Sequence, residues 1–167
     1  MASGIPLLVL GVGNPLRRDD GLGSAALALL TRRWRAPEGV HVVDAGMPGP
    51  RLLPWFARAG AVVLVDAVYI DEPPGTLARI GSTGEVLYTE ADRLGLQDAG
   101  DVRMPAHLAL LGIVPEETGP GLLRSRCVEL ALPALVDLIV AEAAALGFRF
   151  APLPGKAPVQ AFSQPER

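Results

Sequence analysis

Several residue types that carry protein chemistry are scarce here. The 167-residue chain has one cysteine, Cys127. A single cysteine excludes an internal disulfide and any all-cysteine metal site. Cys127 sits in "SRCVELALPAL", a helical pattern, and is read as a packed thiol. There are two histidines, His41 and His107, and neither belongs to an H-E-x-x-H or a motif-supported Ser-His-Asp set. Positive charge is also short. The net charge of −3 removes the electrostatic case for nucleic acid. The small basic group Arg32, Arg33 and Arg35 reads as a helix end favoured by the helix dipole. No apolar run is long enough to span a membrane. The first residues lack the basic region of a secretory signal, and "IPLLVLGVG" reads as a strand. The expectation is a cytoplasmic protein with no nucleic-acid or membrane partner.

What is abundant is apolar sequence, 50% of residues, enough for a sizeable core in one domain. Residues 5–12 form a continuous apolar run, which suits a strand buried on both faces. "GLGSAALALLTRRW" follows at helical spacing. A second strand is expected over 40–46 and a third over 61–68. Between them "GPRLLPWFARAG" reads as a short helix, irregular at Pro54. "TLARI" reads as a shorter edge strand, and 107–114 as the last strand. Residues 81–104 suggest only one or two helical turns. Residues 122–147 read as one long helix, kinked or restarted at Pro133. The Pro-rich segment 151–167 reads as a poorly ordered tail to a domain spanning 1–150. Strands alternating with helices imply an α/β fold with a mainly parallel sheet covered on both faces.

In such sheets, sites lie beyond the carboxyl ends of the strands. Asp20, Asp44 and Asp66 fall there. Each has a bland local role: Asp19 or Asp20 would cap the next helix, and Asp44 and Asp66 would stabilise turns. Grouping them is harder to explain locally. Two carboxylates about 5 Å apart repel by roughly 3 kcal/mol at an effective dielectric near 20. A shared cation, a shared proton or a bound substrate offsets that repulsion. A dinucleotide site is the other reading of "GVGNPL", a partial G-x-G-x-x-G. Leu16 replaces its third glycine, however, and Asp19 and Asp20 would face a pyrophosphate, with Arg17 and Arg18 offsetting part of the repulsion. His41 and His107 each begin a strand, so both are expected at the opposite, amino ends.

"GVGNPLRRDDGLG" resembles the signature G-[IV]-G-N-x-L-x-x-D-[DE]-G-x-G of the [NiFe]-hydrogenase maturation endopeptidases. The resemblance continues through "DAG" with "RLL", "VVLVDAV", "PGT" and "PAHLALLGIVPE", over roughly residues 7–145. It implies a three-layer α/β/α sandwich around a five-stranded, mostly parallel twisted sheet, of the phosphorylase/hydrolase-like kind. It implies an endopeptidase that clips the C-terminal extension from a hydrogenase large-subunit precursor once nickel is inserted. The family uses an acidic residue in the first loop, an aspartate after the third strand and a later histidine, which together bind metal. The first two carry over as Asp20 and Asp66, the expected catalytic and metal-contacting pair. Asp44 matches a further family aspartate. The histidine position holds Asp92 in "DRLGLQDAG", so the third ligand is Asp92, His107 or none. A site of Asp20, Asp66 and Asp92 would hold nickel poorly, since nickel prefers nitrogen or sulfur donors. Nickel would then arrive with the precursor's cysteines, and another divalent metal could occupy the free site. Gly11, Gly13, Asn14 and Asp44 are the expected substrate contacts, with the glycine turn offering N–H groups to the substrate or oxyanion. Nickel would act as a Lewis acid, or only as a recognition mark beside a carboxylate acid–base pair. The resemblance leaves a non-catalytic, precursor-binding chaperone as an alternative. A monomer serving a soluble, NAD-reducing type of hydrogenase is the remaining expectation.

Overall fold

The apolar runs become strands, and their alternating side chains build two cores. The computed structural model of the chain describes residues 4–81, 86 and 102–155. In chain order the elements are β1 (Ile5–Val12), α1 (Leu22–Arg33), β2 (Trp34–Arg35), β3 (Val40–Gly46), α2 (Leu53–Arg58), β4 (Ala59–Ala67), β5 (Leu77–Gly81), β6 (His107–Ile113), α3 (Arg126–Ala145) and β7 (Ala151–Pro152). One five-stranded sheet has the order β3-β1-β4-β6-β5. Its first four strands are parallel, and β5 is an antiparallel edge.

Leu7 and Val9 of β1, with Val63 and Val65 of β4, pack against Leu22, Ala26 and Leu30 of α1 and Val128, Leu135 and Ile139 of α3. Leu8 and Leu10, with Val62 and Leu64, pack the other way against Leu52 and Phe56. Each such buried large side chain stabilises the fold by about 1.5–3 kcal/mol relative to exposure. The expected α/β/α layering follows. The parity matters for the site: in β4 the even positions face the α2 side, and in β3 the positions of Val40 and Val42 face the α1–α3 side.

Proline behaves differently from expectation. Gly49–Leu52 forms a 3-10 turn that leads into α2, and Pro54 sits in the first turn of α2. Its missing N–H is not needed there. The long helix does not restart: α3 is one 20-residue helix with Pro133 inside it. Pro133 deprives the Glu129 carbonyl of its helical donor, and Glu129 is exposed to water. The helix begins at Arg126 rather than at 122, because Ser125 is held as its N-cap residue by a contact described below. The start of the Pro-rich segment is ordered, since Ala151–Pro152 pairs with Trp34–Arg35 and the Leu153 N–H donates to the Arg33 carbonyl. Residues 156–167 and most of the expected 81–104 segment lie outside the described residues. Among the described residues no helix is long and apolar enough to cross a membrane.

Two glycines set how closely α1 approaches the sheet. A Cβ at Gly23 would press on the carbonyl oxygens of Val12 and Val65, and one at Gly11 would press on Leu27. The chain between them, residues 12–22, is thereby carried over the carboxyl ends of β1 and β4.

Candidate active site

The turn after β1 opens at Gly13, whose φ is +120°. A side chain is excluded there, because a Cβ would strike the Asp20 carbonyl and lie 3.3 Å from Asp66 Oδ1. The Gly13 N–H donates to the Gly46 carbonyl at 2.8 Å. The Asn14 N–H donates to Asp20 Oδ2 at 2.9 Å, while Asn14 Oδ1 accepts from the Leu16 N–H at 2.9 Å. Asn14 thus makes the kind of local turn favoured by its short amide, and it orients Asp20. The glycine turn is expected to offer N–H groups to substrate and Asn14 to contact it, but the Gly13 and Asn14 N–H groups are both committed within the protein. The same commitment, beside the Asp20 carboxylate, removes the phosphate cradle that a dinucleotide would need.

A 3-10 turn, Arg18–Gly21, carries both aspartates and sends them in different directions. Asp19 is fully buried. It accepts from the N–H groups of Glu116 (2.9 Å), Glu117 (3.0 Å) and Ser125 (2.7 Å), and from the Ser125 hydroxyl (2.7 Å). Burial alone would raise its pKa, but the bonds from Glu117, Ser125 and Glu116 outweigh that and hold the carboxyl below its ordinary value. Neither aspartate caps α1, whose N-cap is Gly21 without a side-chain bond. Asp19 instead ties the turn to the distant loop 115–125. Backbone bonds reinforce the tie, from Arg18 N–H to the Gly121 carbonyl, Asp19 N–H to Glu117, and Gly121 N–H to Leu16. The local capping role offered for Asp19 or Asp20 is filled by neither, and the long-range role of Asp19 has no local sequence signal.

Asp20 reaches a cavity of about 400 Å³ at the carboxyl edge of the sheet, and Asp66 lines the same cavity. Asp66 is 3% exposed, and its Oδ1 accepts from the Ala67 N–H at 2.7 Å. Arg17, Thr118, Met47 and Tyr69 complete much of the wall. Met47 and Tyr69 are well exposed and give the cavity an apolar rim. Two carboxylates on one cavity can hold a cation between them or share a proton.

Other expected site residues lie elsewhere. Asp44 shares the parity of Val40 and Val42, so it faces α1. Its Oδ1 accepts from the Ser24 hydroxyl at 2.9 Å and from the Gly46 N–H at 3.2 Å, and it lines a different depression. Gly11 is buried under Leu27 and does not line the cavity. His107 is no partner for the aspartates. It pairs with Ala61 where Asp66 pairs with Gly112, five residues along the strands, or about 16 Å away. There its Nε2 meets Glu142 Oε1 at 3.0 Å. His41, the other histidine, is exposed in the amino half of β3. Asp92 lies outside the described residues. Among the described residues no group of three or more His, Cys, Asp or Glu side chains could hold a metal ion.

Residues 25–142 match the hydrogenase maturation protease family model. The chain belongs to the hydrogenase maturation protease family. The matched span includes Asp44 and Asp66 and begins just after the Asp20 turn. Among relatives, the hydrogenase expression/formation protein HupD of Thiocapsa roseopersicina is 32% identical over 147 residues, covering 81% of this chain and 66% of that protein. The hydrogenase 2 maturation protease of Escherichia coli (strain K12) is 30% identical over 146 residues, 81% of this chain and 89% of that protein. Several other relatives are longer: the match spans 58% of a HoxM from Azotobacter vinelandii and 53% of a HupM from Azotobacter chroococcum mcd 1. The fold matches the hydrogenase maturating endopeptidase HybD from E. coli with a TM-score of 0.81 and 28% identity, over 88% of this chain and 97% of that one. The α/β/α layering and five-stranded sheet of this family member therefore follow the pattern of that structure.

Proposed function

We propose that this chain is an endopeptidase that removes the C-terminal extension of a [NiFe]-hydrogenase large-subunit precursor after nickel insertion, with Asp20 and Asp66 as its working residues. The observation that carries the reading is the meeting of these two carboxylates, from separate elements, on one cavity in a chain of this protease family. Family membership supports a protein substrate, and the apolar rim of Met47 and Tyr69 suits a peptide.

Peptide hydrolysis needs an activated water and a stabilised oxyanion. Asp20, half-buried and oriented by Asn14, is placed to take the proton of an attacking water. Nickel enters this reading as cargo of the precursor. The described cavity wall offers it carboxylate oxygens without imidazole or thiolate, a donor set that suits harder cations. The precursor's own cysteines would supply the soft ligands, and Asp20 and Asp66 would meet the exposed side of the metal. Another divalent cation could take the same oxygens in the free protein. The reading keeps the expectation of a cytoplasmic monomer serving a soluble, NAD-reducing hydrogenase.

The test is cleavage. Purified protein with nickel-loaded precursor should yield a shortened large subunit by intact mass, while nickel-free precursor stays uncut. Asp20→Asn and Asp66→Asn should abolish cutting with the melting temperature preserved. An unimpaired double variant would sink the site assignment, and equal cutting of nickel-free precursor would sink the nickel-reading role. Stable binding without mass loss would favour a chaperone.

A further inference from the structure

The family signature leaves positions 17 and 18 open, and this chain fills both with arginine. We propose that Arg17 donates the hydrogen bonds that stabilise the oxyanion at this cavity; the inference rests on the endopeptidase reading above. When water adds to the scissile carbonyl, a C–O bond forms and the π pair moves onto the carbonyl oxygen. The water's proton passes to a carboxylate. Collapse then breaks the C–N bond, and the proton goes to the leaving amine. The oxyanion therefore forms beside two carboxylates, where a positive donor is most needed.

The glycine turn does not supply that donor, because the Gly13 and Asn14 N–H groups are bound to Gly46 and Asp20. Among the described residues on the cavity wall, Arg17 is the one cation. Its Nε–H donates to the Thr118 carbonyl at 3.0 Å, which fixes the guanidinium plane against another wall residue. Its backbone is bridged to Gly121. No described residue takes a hydrogen bond from its Nη groups, so they are available to a ligand. Arg18 differs. Its Nη1 pairs with Glu117 at 3.2 Å, its Nε–H reaches the Pro120 carbonyl at 3.4 Å, and it does not line the cavity.

The experiment is steady-state cleavage of nickel-loaded precursor by wild type, Arg17→Met, Arg17→Lys, Arg17→Ala and Arg18→Met, with thermal melts to confirm folding. Arg17→Met should lower kcat on the order of 10²–10³-fold, the usual loss for one oxyanion donor, with KM nearly unchanged. Arg17→Lys should keep part of the rate, guanidinium salts should restore part of the rate of Arg17→Ala, and Arg18→Met should cut like wild type. An Arg17→Met enzyme with wild-type kcat overturns the assignment and leaves the oxyanion to the substrate's nickel. A raised KM with kcat intact also overturns it, making Arg17 a binder only. A wild type that does not cut defeats the endopeptidase reading together with this one; equal rates in a wild type that does cut defeat this one alone.

Discussion

Removing the Asp19 carboxylate should cost this protein a large share of its stability without touching the cavity wall. Asp19 is fully buried and satisfies four donors, three backbone N–H groups and one hydroxyl. A buried donor left without a partner costs about 1–3 kcal/mol. Glu116 and Glu117 are exposed, so water can replace some of what Asp19→Ala removes. Counting about two donors as unreplaced gives a loss of roughly 2–6 kcal/mol, against a typical total of about 5–15 kcal/mol. For a chain of this size, each kcal/mol lowers the melting temperature by about 2–4 °C, so a fall of about 4–24 °C is expected. Asp19→Asn should cost less, about 1.5–3 kcal/mol. An oxygen at the Oδ2 position keeps three bonds, but the amide nitrogen then faces the Ser125 N–H. Because the folded pKa is lowered, the contribution is complete above the ordinary carboxylate pKa and is lost as pH falls through the folded value. The gap between wild type and Asp19→Ala should therefore narrow on acidification. Urea unfolding at neutral and acidic pH measures both effects. A loss below about 1 kcal/mol for Asp19→Ala, the worth of a single ordinary hydrogen bond, or a gap that widens in acid, would refute the reasoning.

Two further perturbations follow from the same geometry. Glu142→Ala breaks a two-pronged ion pair, in which Arg79 Nε and Nη2 donate to Glu142 at 2.7 and 2.8 Å, and also frees His107. Arg79 is 45% exposed and can turn to water, so the expected loss is about 1–3 kcal/mol by urea unfolding, less than for a fully buried pair. The Arg79 hydrogen bonds lower the Glu142 pKa more than burial raises it, so this contribution too is present at neutral pH and disappears in acid. Asp44→Asn should leave precursor cleavage near the wild-type rate while Asp20→Asn abolishes it, measured by intact mass over time; a loss in Asp44→Asn equal to that in Asp20→Asn would place Asp44 in the site after all.

Much of the fold is legible in the pattern of apolar runs. β1, β3, β4 and β6 are close to the runs read from sequence, and the turn "GVGNPLRRDDGLG" is where the chain must cross a sheet edge. Side-chain parity is not legible. A strand covered on both faces is apolar at every position, so "VHVVDAG" and "VVLVDAV" look alike although Asp44 and Asp66 face opposite layers. The structure resolves the parity through strand register: Gly11, which lies under Leu27 of α1, pairs with Asp44, which places Asp44 on the α1 side. The separate duties of Asp19 and Asp20 were hidden for another reason. The partners of Asp19 lie 97–106 residues away, beyond any local pattern. The same contact explains why α3 starts late: apolar residues at 122 and 123 continue the helical spacing, but Asp19 holds Ser125 at the helix entrance.

The placement of the two histidines bears on how such a site would read nickel. One is exposed on β3, and the other is engaged with Glu142 toward the amino end of the sheet. The described wall of the cavity therefore meets a metal with carboxylate oxygens and the Met47 thioether, and with no imidazole or thiolate. Such a wall competes poorly with thiolates for nickel, so on the endopeptidase reading this protein would not strip the metal from its precursor. Weak affinity for the free ion then becomes useful. A site that bound nickel tightly by itself would fill before the precursor arrived and lose its ability to distinguish loaded from empty substrate. On that reading, a pair of carboxylates that engages nickel only where cysteines present it would keep that distinction.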